Sequence, residues 1–283
     1  MLKFIALIIV FMLLIFSVVA TISPGSESQS NPVADIGKEF AKPLGKVESL
    51  GPEISNALDK VEVKLPGLPV SKKVVETEID PRALADHTGA VFSHQDLPKA
   101  NFAGSLLSAA AFEKAMLDNA VLEGANGDNV NFVGARLAGS NMNATAFPGA
   151  DFSGAELREA RARAGQFPEA NFVDSDISFA TFSGANLKKS DFRKAYGAGA
   201  VFVGADLAGA KFSGADLTGV RFAHADLSGA RFEAADIKLV DLYGAKIYGA
   251  DFSGAINLTA EQLVGACANS ETKLPEGLAA PRC

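Results

Sequence analysis

The chain has 283 residues, of which 48% are apolar, with 20 Phe, 27 Gly and no Trp. This length is sufficient for one large hydrophobic core. The formal net charge of -7 argues against a nucleic-acid or anionic-membrane partner, because binding phosphate groups requires a clustered positive surface.

Residues 4–22 are the first recognisable element. They contain no charged residue, and only Ser17 and Thr21 are polar. At about 1.5 Å per residue such a helix nearly spans a hydrocarbon layer of about 30 Å. Residues 1–22 are therefore predicted to be either a retained transmembrane anchor or a signal peptide, in which Val18 and Ala20 stand at the -3 and -1 positions of a cleavage site.

The charges beside this segment predict its orientation. Lys3 precedes the apolar run, whereas residues 21–37 contain no Lys or Arg. Positive flanks stay on the cytoplasmic side of a membrane. The rest of the chain is therefore expected in the cell envelope, either anchored outside the cytoplasmic membrane or exported after cleavage.

Residues 23–89 begin as a polar tether and continue with apolar residues at helical spacing. Between residues 33 and 61 apolar side chains recur every seven residues, although Pro43, Gly45, Gly51 and Pro52 interrupt them. This pattern predicts two or three short amphipathic helices. The segment is expected either to pack loosely on its own domain or on lipid, or to form a homo-oligomer through residues 33–61.

From residue 90 onward a period of five dominates. Positions 92–252 form 33 consecutive fifth positions without an insertion, and 30 of them hold Phe, Leu, Ile or Met. Two residues before each of these, positions 90–250 hold Ala 23 times. Residues two apart share one face of an extended segment. Each unit is therefore predicted to be a short strand with a polar corner, which buries its apolar face only when units stack into a solenoid.

The distribution of Phe indicates how many units form one turn. When the units are numbered from position 92, 13 of the 15 Phe fall on odd-numbered units, and only Phe147 and Phe167 fall on even ones. If each turn of the solenoid has an even number of sides, Phe stacks on Phe along the axis. With three sides per turn, Phe and the other central residues would alternate along each side. Four sides, with 20 residues per turn, is the smallest even-sided arrangement.

These units resemble the pentapeptide repeats, with their pattern A(D/N)LXX. The pattern is seen in 205–207, 215–217 and 225–227, each of which reads Ala-Asp-Leu. The resemblance implies an all-β solenoid, namely a right-handed quadrilateral β-helix of about eight turns over residues 90–256. Some members of that family imitate duplex DNA and inhibit type II topoisomerases.

Three units break the pattern, with Gly127, Ala162 and Gly197 at central positions. Each break is expected either to mark a bulge on which a partner sits, or to be filled by neighbours such as Leu122 or Tyr196. An unfilled void would lower stability by about 2 to 5 kcal/mol. On this basis Gly197→Leu is expected to raise the melting temperature.

Residues 257–283 are predicted to cap the solenoid. Thr259 to Gln262 resemble a capping box that opens a short helix carrying Leu263, Val264 and Cys267. The only two cysteines are Cys267 and Cys283. In an exported protein they are expected to form a disulfide, with two free thiols as the alternative.

No residue pattern predicts catalysis, a cofactor or a metal site. The three histidines are His87, which precedes the repeat, and His94 and His224 at outward positions, so all three are expected to be solvated. Repeated Asp residues could resemble acid–base pairs. Their fixed place before the central residue instead predicts bonds to the backbone at corners. These residues are Asp206, Asp216, Asp226, Asp236 and Asp251.

The densest group of basic residues in the sequence lies between positions 158 and 194. It is interpreted as a solvated surface or, alternatively, as a patch that binds an anion or an acidic partner. Its members are Arg158, Arg161, Arg163, Lys188, Lys189, Arg193 and Lys194.

Two functions follow from these observations. One is a non-enzymatic scaffold, a rigid rod outside the cytoplasmic membrane that presents flat walls to an unidentified protein partner. The alternative, implied by the resemblance, is a DNA-mimicking inhibitor of gyrase. Residues 90–256 carry 15 Lys and Arg against 19 Asp and Glu, which is a weak acidic excess for DNA mimicry.

Overall fold

The computed structural model describes residues 84–281. Parallel β-bridges repeat along this part of the chain, beginning with Asp86 to Leu106 and continuing every five residues to Asp236 and Ile256. Each of these bridges joins residues that are 20 apart. Four five-residue units therefore form one coil, as the distribution of Phe predicted, and the coils stack into an all-β solenoid.

The solenoid has four walls, which are numbered here by the first bridge of each. Wall 1 begins at Asp86, wall 2 at Val91, wall 3 at Asp96 and wall 4 at Asn101. Each wall continues through the residues 20, 40 and more positions later. A unit comprises the bridge residue, the residue before it and the three after it, and it belongs to the wall of its bridge.

The core is made of the central residues and of the small residues two positions before them. Wall 2 carries Phe at the centre of every unit from 92 to 252. Successive rings of this ladder stack with centroids 4.3–5.1 Å apart and interplanar angles of 1–11°. Offset stacking of aromatic rings adds to the stabilisation from burial. The rings are Phe92, Phe112, Phe132, Phe152, Phe172, Phe192, Phe212, Phe232 and Phe252.

Every corner of the repeat uses the same backbone turn. At the first complete corner the amide of Ala90 donates to the carbonyl of His87 over 2.9 Å. The last residue of each unit from 84 to 249 has a positive φ, as the third residue of a type II turn requires. Many of these residues are not Gly, and Phe179 (φ 60°) and Leu239 (φ 59°) are among them. The stacked coils thus impose a left-handed conformation that costs an L-residue about 1 to 2 kcal/mol.

The solenoid begins one unit before the predicted start at residue 90. His87, which was expected to precede the repeat and be solvated, is the inward residue of a wall 1 unit and is only 8% exposed. Its ring packs edge-on against Phe92 and Phe102, with centroids 5.4 and 5.6 Å away. The expectation was wrong because the central position of this unit buries whatever side chain it carries.

The three breaks are closed in three different ways. At Gly127 the backbone of the previous coil lies close, since a β-carbon there would be 2.6 Å from the carbonyl carbon of Leu107. At Gly197, Leu217 and Ile177 approach to 3.2 and 3.5 Å of the β-carbon position.

Beside Ala162, the ring of Phe167 lies over Gly165. Tyr196, which was expected to lean into a gap, instead points outward and is 61% exposed. Backbone and inward side chains, rather than an outward side chain, therefore lie beside the three breaks.

The C-terminal segment contains one short helix, a 3-10 helix at Glu261–Leu263. The amide of Thr259 donates to the Gln262 side chain over 2.9 Å, which is one half of the predicted capping box. The prediction that the helix also carries Val264 and Cys267 is wrong. Val264 is extended, and Cys267 pairs with Lys246 in a further bridge, because the chain returns to the end of the stack.

This returning segment covers the last edge of the solenoid. Cys267 and Lys273 extend walls 1 and 2 by bridges to Lys246 and Asp251. The side-chain amide of Gln262 donates to the carbonyl of Ile237 over 2.8 Å. An exposed sheet edge would leave such carbonyls unpaired, and these contacts satisfy part of this edge.

Among residues 84–281, no helix is long and apolar enough to cross a membrane. The predicted anchor or signal segment 1–22, the tether and the amphipathic segment 33–61 lie outside the described residues.

Candidate partner-binding surface

The repeated Asp and Asn residues stabilise the walls from outside. Their side-chain oxygens accept a hydrogen bond from the backbone amide two residues later, for example Asp216 from Thr218 over 3.0 Å. The same bond is present for Asp206, Asp226, Asp236 and Asp251, at 3.0–3.3 Å. The structural interpretation of these carboxylates is therefore confirmed.

The basic group predicted from residues 158–194 is not one patch. Arg158 lies on wall 3, Arg161 and Arg163 on wall 4, and Lys188 and Lys189 on wall 1. Arg193 and Lys194 belong to wall 2. Residues that are close in sequence are separated here because each five-residue step turns the chain onto the next wall.

Three of these seven residues pair with carboxylates of neighbouring coils. Arg158 pairs with Asp176 at 3.2 Å, and Lys188 pairs with Asp206 at 2.9 Å. Lys189 and Glu169 are 3.4 Å apart. These pairs join residues 18 or 20 positions apart, so walls 1 and 3 are lined by ion pairs between adjacent coils.

Wall 2 carries a shallow groove with a charged centre at Asp191. Partial burial opposes ionisation of this carboxyl, but hydrogen bonds from Arg193 and the charge of Lys211 lower the pKa of Asp191. The Nε atom of Arg193 donates to both carboxylate oxygens, at 2.8 and 3.0 Å. Arg193 and Lys211, two cations of this groove, are thus already paired with Asp191.

Wall 4 differs from the other three because none of its arginines has an ion-pair partner within residues 84–281. Arg161, Arg163 and Arg221 are exposed, and none has a carboxylate within 4.0 Å among the described residues. Arg221 was missed by the sequence analysis, although a count in steps of 20 places it in register with Arg161. We call the following set the arginine strip: Arg161, Arg163, Thr181, Val201, Val203 and Arg221.

An exposed aromatic residue stands at the edge of the arginine strip. Phe179 is 58% exposed and occupies the corner that leads from wall 3 into Thr181 on wall 4. Its ring lies over Gly199 in the next coil, where a β-carbon would be 2.7 Å from the ring. Phe179 is therefore held against the solenoid while one face remains open to solvent.

The remaining predicted residues occupy separate places. His94 and His224 are exposed, as expected, and Cys267 lies in the C-terminal bridge to Lys246. Cys283 lies outside the described residues. Within residues 84–281, His, Cys, Asp and Glu form no group suited to hold a metal ion.

Comparison with protein families gives one match. A family model described as pentapeptide repeats matches in eight copies, over residues 85–124, 105–143, 175–214 and 215–254. No curated protein matches the chain significantly.

Several solved structures are similar to this chain. A trypsin-treated variant of QnrB1, a plasmid-mediated fluoroquinolone resistance protein, is 19% identical, with 68% of this chain and 92% of that chain covered and a TM-score of 0.44. HetL, a pentapeptide repeat protein involved in heterocyst differentiation regulation in the cyanobacterium Nostoc sp. strain PCC 7120, is 27% identical. Its coverage is 62% of this chain and 86% of that chain, with a TM-score of 0.24.

Proposed function

This chain belongs to the pentapeptide-repeat family, and we propose that it is a non-enzymatic scaffold that presents its walls to a protein partner outside the cytoplasmic membrane. The observation that carries this proposal is the regular stack of coils with 20-residue bridges. Each coil is locked to the next by backbone hydrogen bonds and by buried Phe rings. Outward side chains are therefore held in fixed rows, which suits recognition of a partner by a preformed surface.

The proposed location rests on the sequence. The uncharged segment 4–22 and the lack of Lys and Arg in residues 21–37 favour export of everything that follows. Intact mass of the protein from membrane and soluble fractions of its native host tests this. Either full-length protein in the membrane fraction or a soluble form lacking about 20 residues supports the proposal. Full-length protein in the soluble fraction contradicts it.

A crosslinking experiment tests the scaffold itself. Benzoylphenylalanine is introduced at one half-exposed position on each wall of the full-length protein in its native host. These positions are Ala208 on wall 1, Ser213 on wall 2, Thr218 on wall 3 and Ser183 on wall 4. A specific protein adduct from at least one wall is expected. If no wall gives a protein adduct, the scaffold proposal fails.

A gyrase assay tests the alternative function. A rod that imitates duplex DNA needs acidic walls, whereas wall 2 has nearly balanced charges and wall 4 carries three Arg against Glu123 and Asp241. The full-length protein in detergent is therefore expected to leave supercoiling by gyrase unchanged. Inhibition at micromolar concentration would replace the scaffold with the topoisomerase inhibitor.

A further inference from the structure

The charge of wall 4 separates it from the other walls. Its five units over residues 140–224 contain Arg161, Arg163 and Arg221 and no Asp or Glu. Glu123 and Asp241 are the carboxylates of this wall, and both lie outside those units. Glu123 accepts a hydrogen bond from Asn141 over 3.0 Å, while Asp241 accepts one from the amide of Tyr243 over 3.1 Å.

The register of the coils places these arginines along one line. Bridges run from Arg161 to Thr181, from Thr181 to Val201 and from Val201 to Arg221. Three steps between adjacent strands separate Arg161 from Arg221 by about 14 Å. Between the arginines lie three half-buried residues, Thr181, Val201 and Val203. The middle of the arginine strip is therefore largely apolar and projects less than its two ends, which carry guanidinium groups.

The backbone at one border of the arginine strip is held by a side chain of the previous coil. The amide of Arg163 donates to the side chain of Asn143 over 2.9 Å. At the other border Phe179 is exposed although its φ of 60° is unfavourable for a bulky residue. Arg and aromatic residues are the types most enriched at the energetic centres of protein interfaces.

We propose that the arginine strip, together with Phe179, binds an acidic protein segment that also carries apolar side chains. This inference rests on the proposed scaffold function and adds the wall and the chemistry of the partner. Carboxylates of the partner pair with the guanidinium groups, which present a planar fork suited to bidentate bonding. Apolar side chains of the partner cover Val201, Val203 and the open face of Phe179. An apolar centre distinguishes this surface from a phosphate-binding one, which needs cations along its whole length.

The test uses benzoylphenylalanine at Ser183, on wall 4, in the full-length protein in its native host. The adduct is identified by mass spectrometry of the crosslinked peptide. The same crosslinker is then combined with Arg161→Glu, Arg163→Glu and Arg221→Glu. A matched control combines it with Lys194→Glu, Arg231→Glu and Lys238→Glu, which make the same change of charge at exposed residues of walls 2 and 3 that also have no ion pair among the described residues.

The expected result is an adduct at Ser183 with an acidic protein segment. Its yield should fall roughly tenfold or more with the wall 4 reversals, because like charges then face each other, and persist with the control reversals. A milder set, Arg161→Gln, Arg163→Gln and Arg221→Gln, repeats the test in case the reversed charges impair folding, which thermal unfolding would reveal.

Several results would overturn this inference. They are an adduct that the reversals leave unchanged, and an adduct with nucleic acid or with a second copy of this chain. Protein adducts from positions 208, 213 or 218 without one from Ser183 would also overturn it while leaving the scaffold function intact. Absence of a protein adduct from all four walls would remove the scaffold function as well.

Discussion

The ring of Phe167 lies across the backbone of Gly165 and fills the space that a β-carbon at residue 165 would need. Most units carry Ala at this position, so the repeat pattern alone favours Gly165→Ala. The structure predicts the opposite result. Because the added methyl group would displace a buried ring, Gly165→Ala should lower the free energy of unfolding by about 1 to 3 kcal/mol.

Chemical denaturation of Gly165→Ala, Phe167→Leu and the double variant measures this coupling. Phe167→Leu should relieve much of the Gly165→Ala penalty in the double variant. Ser140→Ala is the control at the same position of another unit. It removes a buried hydroxyl that has no partner in the described part of the chain, and it should not lower stability. Simple additivity of the two changes would show that the ring does not respond to residue 165.

The glycines at the other two breaks should respond differently to Ala. At Gly127 the obstacle is the backbone of Leu107 at 2.6 Å, whereas at Gly197 it is the tip of Leu217 at 3.2 Å and the Asp216 carbonyl oxygen at 3.3 Å. Thermal unfolding should therefore show a large loss for Gly127→Ala and a small change for Gly197→Ala.

Gly197→Leu should lower the melting temperature, because Ile177 and Leu217 already occupy the space and overpacking costs about 1 to 3 kcal/mol. This outcome would reverse the expectation drawn from the sequence. A rise in melting temperature for Gly197→Leu would instead show that the two neighbours can withdraw.

The first coil should become more stable when His87 is replaced by Leu. Among residues 84–281 the buried Nε2 atom of His87 has no hydrogen-bond partner, and the next residue of the same row is Leu107. Removing an unpaired buried polar group should raise the free energy of unfolding by about 1 to 2 kcal/mol. Thermal unfolding of His87→Leu checks this, with His94→Leu as the exposed control. A loss of stability would show that the packing of the imidazole on Phe92 and Phe102 contributes more than its unpaired nitrogen costs.

The C-terminal cap should weaken in acid through Asp251. Its carboxylate accepts a 2.6 Å bond from the Ser253 hydroxyl, which lowers the pKa of Asp251 against a smaller opposing effect of burial, and it pairs with Lys273 at 3.1 Å. A carboxyl whose pKa is lowered on folding stabilises above its unfolded pKa of about 3.9, and that contribution is lost as the pH falls through the folded value.

Asp251→Asn keeps the acceptor for the Ser253 amide but removes the charge. Its melting temperature should therefore fall below that of the unchanged protein at neutral pH and converge with it in acid, once the pH has fallen below the folded pKa. Circular dichroism at neutral and at acid pH measures the difference. An equal deficit at both would mean that packing, rather than charge, fixes the cap.

The disulfide between Cys267 and Cys283 stays a prediction, and one contact favours it. The amide of Ala268 donates to the carbonyl of Pro281 over 3.3 Å, so the chain returns beside Cys267 two residues before Cys283. Intact mass should rise by two hydrogens on reduction. Cys283→Ser should then lower stability by about 3 kcal/mol, as expected for a loop of this length. An unchanged mass would establish two thiols.

The five-residue period was sufficient to predict the core and the number of walls. Inward positions admit few side chains, so the identities of residues 92–252 carry that information directly. The burial of His87 was not predicted, because a polar residue at a central position suggests that the repeat has not yet begun. The C-terminal helix was predicted too long, because the return of Cys267 to Lys246 depends on the end of the stack rather than on local sequence.

The surface was harder to predict than the core. Arg158 and Arg161 are three residues apart in sequence yet lie on different walls, whereas Arg161 and Arg221 are 60 apart and share one row. Closeness in sequence therefore does not predict which outward residues of a solenoid share one surface. Which cations are neutralised also depends on side-chain reach between coils, as in the pair of Lys188 and Asp206, and the period does not encode that reach.

The 20-residue coil also limits how the length of such a chain can change during evolution. Loss of a single unit would shift every later unit to the neighbouring wall. The Phe residues after the deletion would then no longer stack on the earlier Phe residues of wall 2, and Arg221 would leave the row of Arg161. Loss or duplication of four units at once preserves every vertical neighbour. Viable length variants are therefore expected to differ by whole coils, with each row of outward side chains inherited intact.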